Sequence, residues 1–90
     1  MTDGELLSGL TPKERLVLIR ILKERIYHTK RWSESHDIEH SLTDWIIILG
    51  HYLGKAAYTV APYRENRADW KKRLIQLAAI CFSALVAAED

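Results

Sequence analysis

Ser41-Leu42-Thr43-Asp44-Trp45-Ile46-Ile47-Ile48-Leu49 is the stretch on which the fold class turns. From Trp45 to Leu49 it is the densest apolar run in the chain, and its β-branched and aromatic residues suit a buried strand as well as a helix. The residues on either side decide. Ser41 is a good N-cap residue with a carboxylate three positions on, Asp44, so that each side chain can satisfy a backbone N–H of the other. Beyond the run, Tyr52, Leu53, Ala56 and Ala57 continue the apolar pattern at three-to-four spacing, which is helical. A helix from about Leu42 to Val60 is the result. Gly50 and Gly54 weaken it by about 1 kcal/mol each relative to Ala, as expected where something packs closely.

Two more helices flank this one. On the N-terminal side, Thr11-Pro12-Lys13-Glu14 is a start signal: the Thr hydroxyl accepts from an N–H three residues on, Glu14 reaches back, and Pro12 loses no hydrogen bond at the first helical position. The helix runs to about Lys30. Leu16, Leu18, Ile19, Leu22, Ile26 and Tyr27 share its broad apolar face, with Val17 and Ile21 on the other side near Arg25 and His28. On the C-terminal side, Pro62 ends the central helix, and Asn66-Arg67-Ala68-Asp69 starts a third that reaches about Ala88. Its stripe is Trp70, Leu74, Leu77, Ala78, Cys81, Leu85 and Ala88, widened by Ile75, Ile80, Phe82 and Val86. The expected fold is all-α, a three-helix antiparallel bundle. Its core would hold Leu18, Leu22, Ile26, Trp45, Ile48, Leu49, Tyr52, Leu53, Leu74, Leu77, Ala78, Cys81 and Leu85.

Composition bounds the function. Ninety residues make one domain, 1–90, with a frayed start over residues 1–10. A hydrophobic fraction of 48% exceeds what three short helices can hide, so a homodimer or higher homo-oligomer is expected to complete the bundle. Thirteen Lys and Arg against twelve Asp and Glu leave no large basic surface, which disfavours a dedicated nucleic-acid binder. Cys81 is the only cysteine, so no internal disulfide forms, and a reducing compartment is expected. The Met1 to Glu5 start lacks the charged and apolar regions of a signal peptide, and no apolar run is long enough to span a bilayer. Soluble and cytoplasmic is the expectation, with no membrane partner.

Imidazoles and carboxylates crowd together once, at Glu34, His36, Asp37, Glu39, His40 and Asp44. His36 and His40 stand four apart, as two ligands on one side of a helix would, but the glutamate directly after the first His of a His-Glu-x-x-His zinc motif is missing. The favoured reading is a polar connection whose side chains cap helix ends, with Glu34, His36, Asp37, His40 and Asp44 as minor metal candidates. Cys81 on an apolar stripe is a small hydrophobe rather than a nucleophile. Gly50-x-x-x-Gly54 lies inside a helix without the Lys-Ser/Thr pair of a phosphate loop. Tyr63-Arg64-Glu65-Asn66-Arg67 reads as solvated loop.

In this order the features resemble small MazG-like proteins of the all-α nucleoside triphosphate pyrophosphohydrolase superfamily, the short variants common in phages and prophages. Lys30-Arg31-Trp32, the connection Glu34 to His40, Asp44-Trp45-Ile46-Ile47-Ile48-Leu49-Gly50 and Leu74-Ile75-Gln76-Leu77-Ala78-Ala79 carry the resemblance, which extends over about Ile26 to Ala88. It implies paired helices in a homodimer and a nucleotide ligand. Active members hold Mg²⁺ through a Glu-Glu-x-x-Glu stretch and a Glu-x-x-Asp on the next helix, because Mg²⁺ takes hard oxygen ligands and orients the attacking water. Here those stretches correspond to His51-Tyr52-Leu53-Gly54-Lys55 and Arg73-Leu74-Ile75-Gln76, with no acid left and two positions turned cationic.

Three readings follow from the resemblance. His51, Lys55, Arg73 and Gln76 contact phosphate directly in a protein without turnover, needing no cofactor. Alternatively these residues pair with Glu65, Asp69 or Glu89, and the protein acts only on protein partners. In the third, Mg²⁺-dependent pyrophosphohydrolysis persists on relocated acids, Glu34, Asp37 and Asp44.

Overall fold

A computed structural model of the chain describes residues 1–31, 40–60 and 66–89. Among these, all regular structure is helical: α1 (Asp3–Ser8), α2 (Pro12–Arg31), α3 (Leu42–Tyr58) and α4 (Arg67–Ala88). The Trp45 to Leu49 run is therefore helix. No helix among the described residues is long and apolar enough to cross a membrane.

The helix starts follow from local chemistry. Thr11 Oγ1 accepts from the Glu14 N–H at 3.2 Å, and the Thr11 N–H donates to Glu14 Oε1 at 2.9 Å. At α3 the same reciprocal pair joins Ser41 and Asp44, at 3.1 and 3.0 Å. Asn66 Oδ1 accepts from the Asp69 N–H at 3.1 Å and opens α4. Each removes an orphan donor from a helix start. α1 occupies residues that composition alone suggests are frayed. Thr2 caps it, and Arg15 Nη2 donates to the Ser8 carbonyl at 2.8 Å, tying its end to α2, although every residue of α1 stays exposed.

α4 is the hub, packing against both α2 and α3. The Asn66 N–H donates to the Thr59 carbonyl at 3.2 Å, which holds the end of α3 beside the start of α4. The most buried residues are Trp45, Ala56 and Thr59 from α3 and its cap, and Ala79, Ile80 and Ser83 from α4. Four of these six are small, which permits close approach of neighbouring helices. The two buried hydroxyls are satisfied within their own helices, Thr59 Oγ1 donating to the Ala56 carbonyl and Ser83 Oγ to that of Ala79.

This packing corrects the expected core. Of that set only Trp45 is buried; Ile48, Leu49, Tyr52, Leu74, Leu77 and Ala78 are half-buried, and Leu18, Leu22, Ile26, Leu53, Cys81 and Leu85 are exposed. α4 turns Gln76, Ala79, Ile80, Ser83 and Ala87 inward and leaves Cys81 and Leu85 outside, with Leu85 71% exposed. α2 likewise presents Ile21, Glu24, Arg25 and His28 to the protein, while its broad face of Ile19, Leu22 and Ile26 is open. In both helices apolar residues cover more than one face, and close approach to the neighbour selects the face with less bulk. Gly50 and Gly54 are also corrected. A Cβ at either would meet nothing within 4 Å among the described residues, so no packing there requires them.

Candidate functional site

Residues of α3, its cap and α4 line a cleft of about 580 Å³. Gly50, His51, Gly54, Lys55, Tyr58 and Thr59 line it from the α3 side, Asp69 and Arg73 from α4. The 51-54-55-58 spacing places these residues on one flank of α3, and 69-73 does the same for α4. His51, Lys55 and Arg73 thus share one cleft. The glycines keep its wall low, since a side chain at either would project into open space.

A second cleft, of about 530 Å³, lies where three helices meet: Glu24, Tyr27 and His28 of α2, Tyr52 and Lys55 of α3, Lys72 and Gln76 of α4. Lys55 borders both clefts. Its Nζ sits 4.9 Å from the centroid of the Tyr52 ring, a cation–π contact that steadies the ammonium without neutralising it. Gln76 belongs to the second cleft and holds the arginine of the first: Arg73 Nη1 donates to Gln76 Oε1 at 3.0 Å. The side chain of Gln76 is thereby a positioning partner for Arg73. Across the second cleft, His28 Nε2 and Glu24 Oε1 stand 3.1 Å apart on successive turns of α2.

Electrostatically, the first cleft sets two permanent cations, Lys55 and Arg73, against one carboxylate, Asp69. Among the described residues neither Lys55 nor Arg73 forms an ion pair, so Asp69 shares their cleft without neutralising them. Such a cleft suits an anion. Among the described residues Asp69 supplies its only carboxylate, whereas Mg²⁺ needs several converging oxygen ligands. No metal-binding cluster of His, Cys, Asp or Glu occurs among the described residues.

The remaining metal candidates divide. Glu34, His36 and Asp37 lie outside the described residues, as do the rest of the connection from Trp32 to Glu39 and the Ala61 to Glu65 loop, with Tyr63 and Arg64. His40 packs edge-on against Trp45, ring centroids 5.0 Å apart. Asp44 is engaged at the start of α3. The Ser41 backbone N–H, then the Ser41 hydroxyl, hold its carboxyl below the ordinary range, and His40 adds a smaller pull in the same direction. Glu14 is lowered in the same way by the backbone and hydroxyl of Thr11. Cys81 is exposed on the outside of α4, away from both clefts.

Sequence reasoning missed Tyr58, Thr59, Lys72 and the α2 contribution of Glu24, Tyr27 and His28. Tyr58 continues the 51-54-55 flank by one helical step and was readable from spacing; the α2 residues depend on which face of α2 turns inward, which spacing does not give. Comparison with protein-family models, with curated proteins and with solved structures finds no match to this chain.

Proposed function

We propose that this chain is a catalytically degenerate MazG-like protein that binds a phosphate-bearing ligand, a nucleotide, between α3 and α4 without Mg²⁺-dependent turnover. One observation carries the proposal: Lys55 and Arg73, from different helices, converge on one cleft with no ion-pair partner among the described residues. Arg73 supplies a planar fork that grips two phosphate oxygens, Lys55 a point charge, and His51 a third donor when protonated. Gln76 keeps the arginine aimed. The resemblance supplies the ligand class, and the cations at Lys55 and Arg73, where active members of the resembled family carry acids, support binding without turnover.

The same proposal takes α2, α3 and α4 as an antiparallel three-helix unit completed by a second copy, working in the reducing cytoplasm. The open apolar face of α2, with Ile19, Leu22 and Ile26 exposed, supports the second copy.

Calorimetry with a panel of nucleoside triphosphates and inorganic triphosphate tests the ligand. Binding is expected, with Lys55→Glu and Arg73→Glu each weakening it at least about tenfold, since a hydrogen bond to a charged group contributes about 1.5–3 kcal/mol. Absence of heat across the panel leaves a protein-interaction module instead. Release of pyrophosphate in the presence of Mg²⁺ refutes the degenerate reading.

A further inference from the structure

The second cleft, of about 530 Å³, enters the proposed nucleotide site only through Lys55. Three helices line it together. Glu24, His28, Tyr52, Lys55 and Gln76 are half-buried there, while Tyr27 and Lys72 are exposed.

Its carboxylate and its amide oxygen are each engaged, whereas its donors are left over. Glu24 carries the only carboxylate among the described lining residues, and His28 Nε2 stands 3.1 Å from its Oε1. Arg73 has donors and no acceptor, so the 3.0 Å bond from its Nη1 fixes the Gln76 oxygen on the arginine. The Gln76 amide N–H groups are thereby left to donate elsewhere. Lys55 and Lys72 bring two ammoniums, neither with an ion-pair partner among the described residues. That of Lys55 sits 4.9 Å from the ring centroid of Tyr52, which lines this cleft and not the first. Tyr27 and Tyr52 add phenol hydroxyls.

This donor set selects the ligand. Two ammoniums against one engaged carboxylate repel a divalent cation, and an apolar ligand would take water from half-buried charges without replacing it. No guanidinium lines the cleft among the described residues, so the planar fork that matches a carboxylate is missing. Ammoniums act as point charges without that planar preference. Donors carried by three separate helices suit a tetrahedral group, whose oxygens point in more directions than the two of a carboxylate.

The geometry points to a second anion site here: a phosphoryl group, free or as a monoester, held by the ammoniums of Lys55 and Lys72 with the Gln76 amide and the tyrosine hydroxyls donating. The site borders the proposed nucleotide cleft at Lys55 and stands independently of it.

Proton NMR of the full chain tests it. The imidazole C–H signals are followed as inorganic phosphate is added at fixed pH, with a sodium chloride titration of matched ionic strength. His28 borders this cleft and His51 the first, so the two are read separately. A saturable shift of His28 is expected with phosphate and not with chloride. Lys72→Glu is expected to weaken the binding at least about tenfold. Lys71→Glu makes the same change of charge at an exposed neighbour that lines neither cleft, and is expected to leave the affinity unchanged. Lys72→Gln removes the ammonium without adding a carboxylate; it is expected to weaken binding too, and decides if Lys72→Glu loses its helical circular dichroism. Glycerol phosphate separates the sources: saturation of the His28 shift by both ligands supports a monoester site, and by inorganic phosphate alone a site for the free anion. Absence of a saturable His28 shift with either ligand, a shift that chloride reproduces, or equal losses in Lys71→Glu and Lys72→Glu overturns the site. Failure of triphosphate to bind in the calorimetry above refutes the first cleft and leaves this result standing.

Discussion

Ala79 and Leu85 lie on different faces of α4, and exchanging their sizes separates two registers of that helix. Ala79 is fully buried and Leu85 is 71% exposed. Ala79→Leu forces three additional carbons into the closest approach of α4 to its neighbours, where overpacking costs about 1–3 kcal/mol. In a domain of this size each kcal/mol moves the melting temperature by about 4–8 °C, so a fall of about 4–24 °C is expected. Leu85→Ala removes apolar surface that already faces water and is expected to stay within about 0.5 kcal/mol of wild type. Thermal unfolding followed by far-ultraviolet circular dichroism measures both, at one fixed protein concentration because association contributes to stability. If α4 instead buried the Leu74, Ala78, Cys81, Leu85 stripe, the pattern would invert. Leu85→Ala would then cost about 2–5 kcal/mol, and Ala79→Leu would be tolerated. That outcome refutes the register, and with it the placement of Arg73 and Asp69 in the cleft.

Ser41→Ala is expected to destabilise the chain by about 0.5–2 kcal/mol through loss of the α3 cap, read as a lower urea midpoint with an unchanged slope. Glu14 and Asp44 both have carboxyls held below the ordinary range in the folded chain. Their contribution to stability is therefore complete above the ordinary carboxylate range and is lost as the pH falls through their lowered folded values; a pH series of urea midpoints that rises on acidification through this range contradicts it. Cys81 is exposed, so a thiol reagent is expected to label the native protein fully without denaturant, and protection until unfolding would place the residue in a core instead.

The helices were legible because their signals are local. Thr11 with Glu14, Ser41 with Asp44, and Asn66 with Asp69 each fix a helix start within four residues of chain, and the structure starts α2, α3 and α4 beside them. Which way each helix faces was not legible, for a physical reason. α2 carries Ile19, Leu22 and Ile26 on one side and Val17 and Ile21 on another, so hydrophobic periodicity does not single out a face. The choice depends on close approach between helices, made at Ala79 and Ser83 on α4 and at Ala56 and Thr59 on α3. Small residues contribute little to a hydrophobic pattern yet determine where helices meet. The candidate site was legible to the extent that it follows α3: His51 and Lys55 are four apart on one helix, and the cleft contains both. Arg73 joins them because α4 starts beside the end of α3, through the hydrogen bond from the Asn66 N–H to the Thr59 carbonyl.

The chain has four glycines, two in the cleft wall and two in and beside α1, and they make the most direct test of the central claim. Inorganic triphosphate is titrated into nitrogen-labelled protein while the glycine amides are followed by heteronuclear NMR. Expected are saturable shifts at Gly50 and Gly54 that vanish in the Arg73→Glu variant, with Gly4 and Gly9 unmoved. Uniform small shifts at all four, or shifts at Gly50 and Gly54 that survive in Arg73→Glu, contradict phosphate binding between α3 and α4.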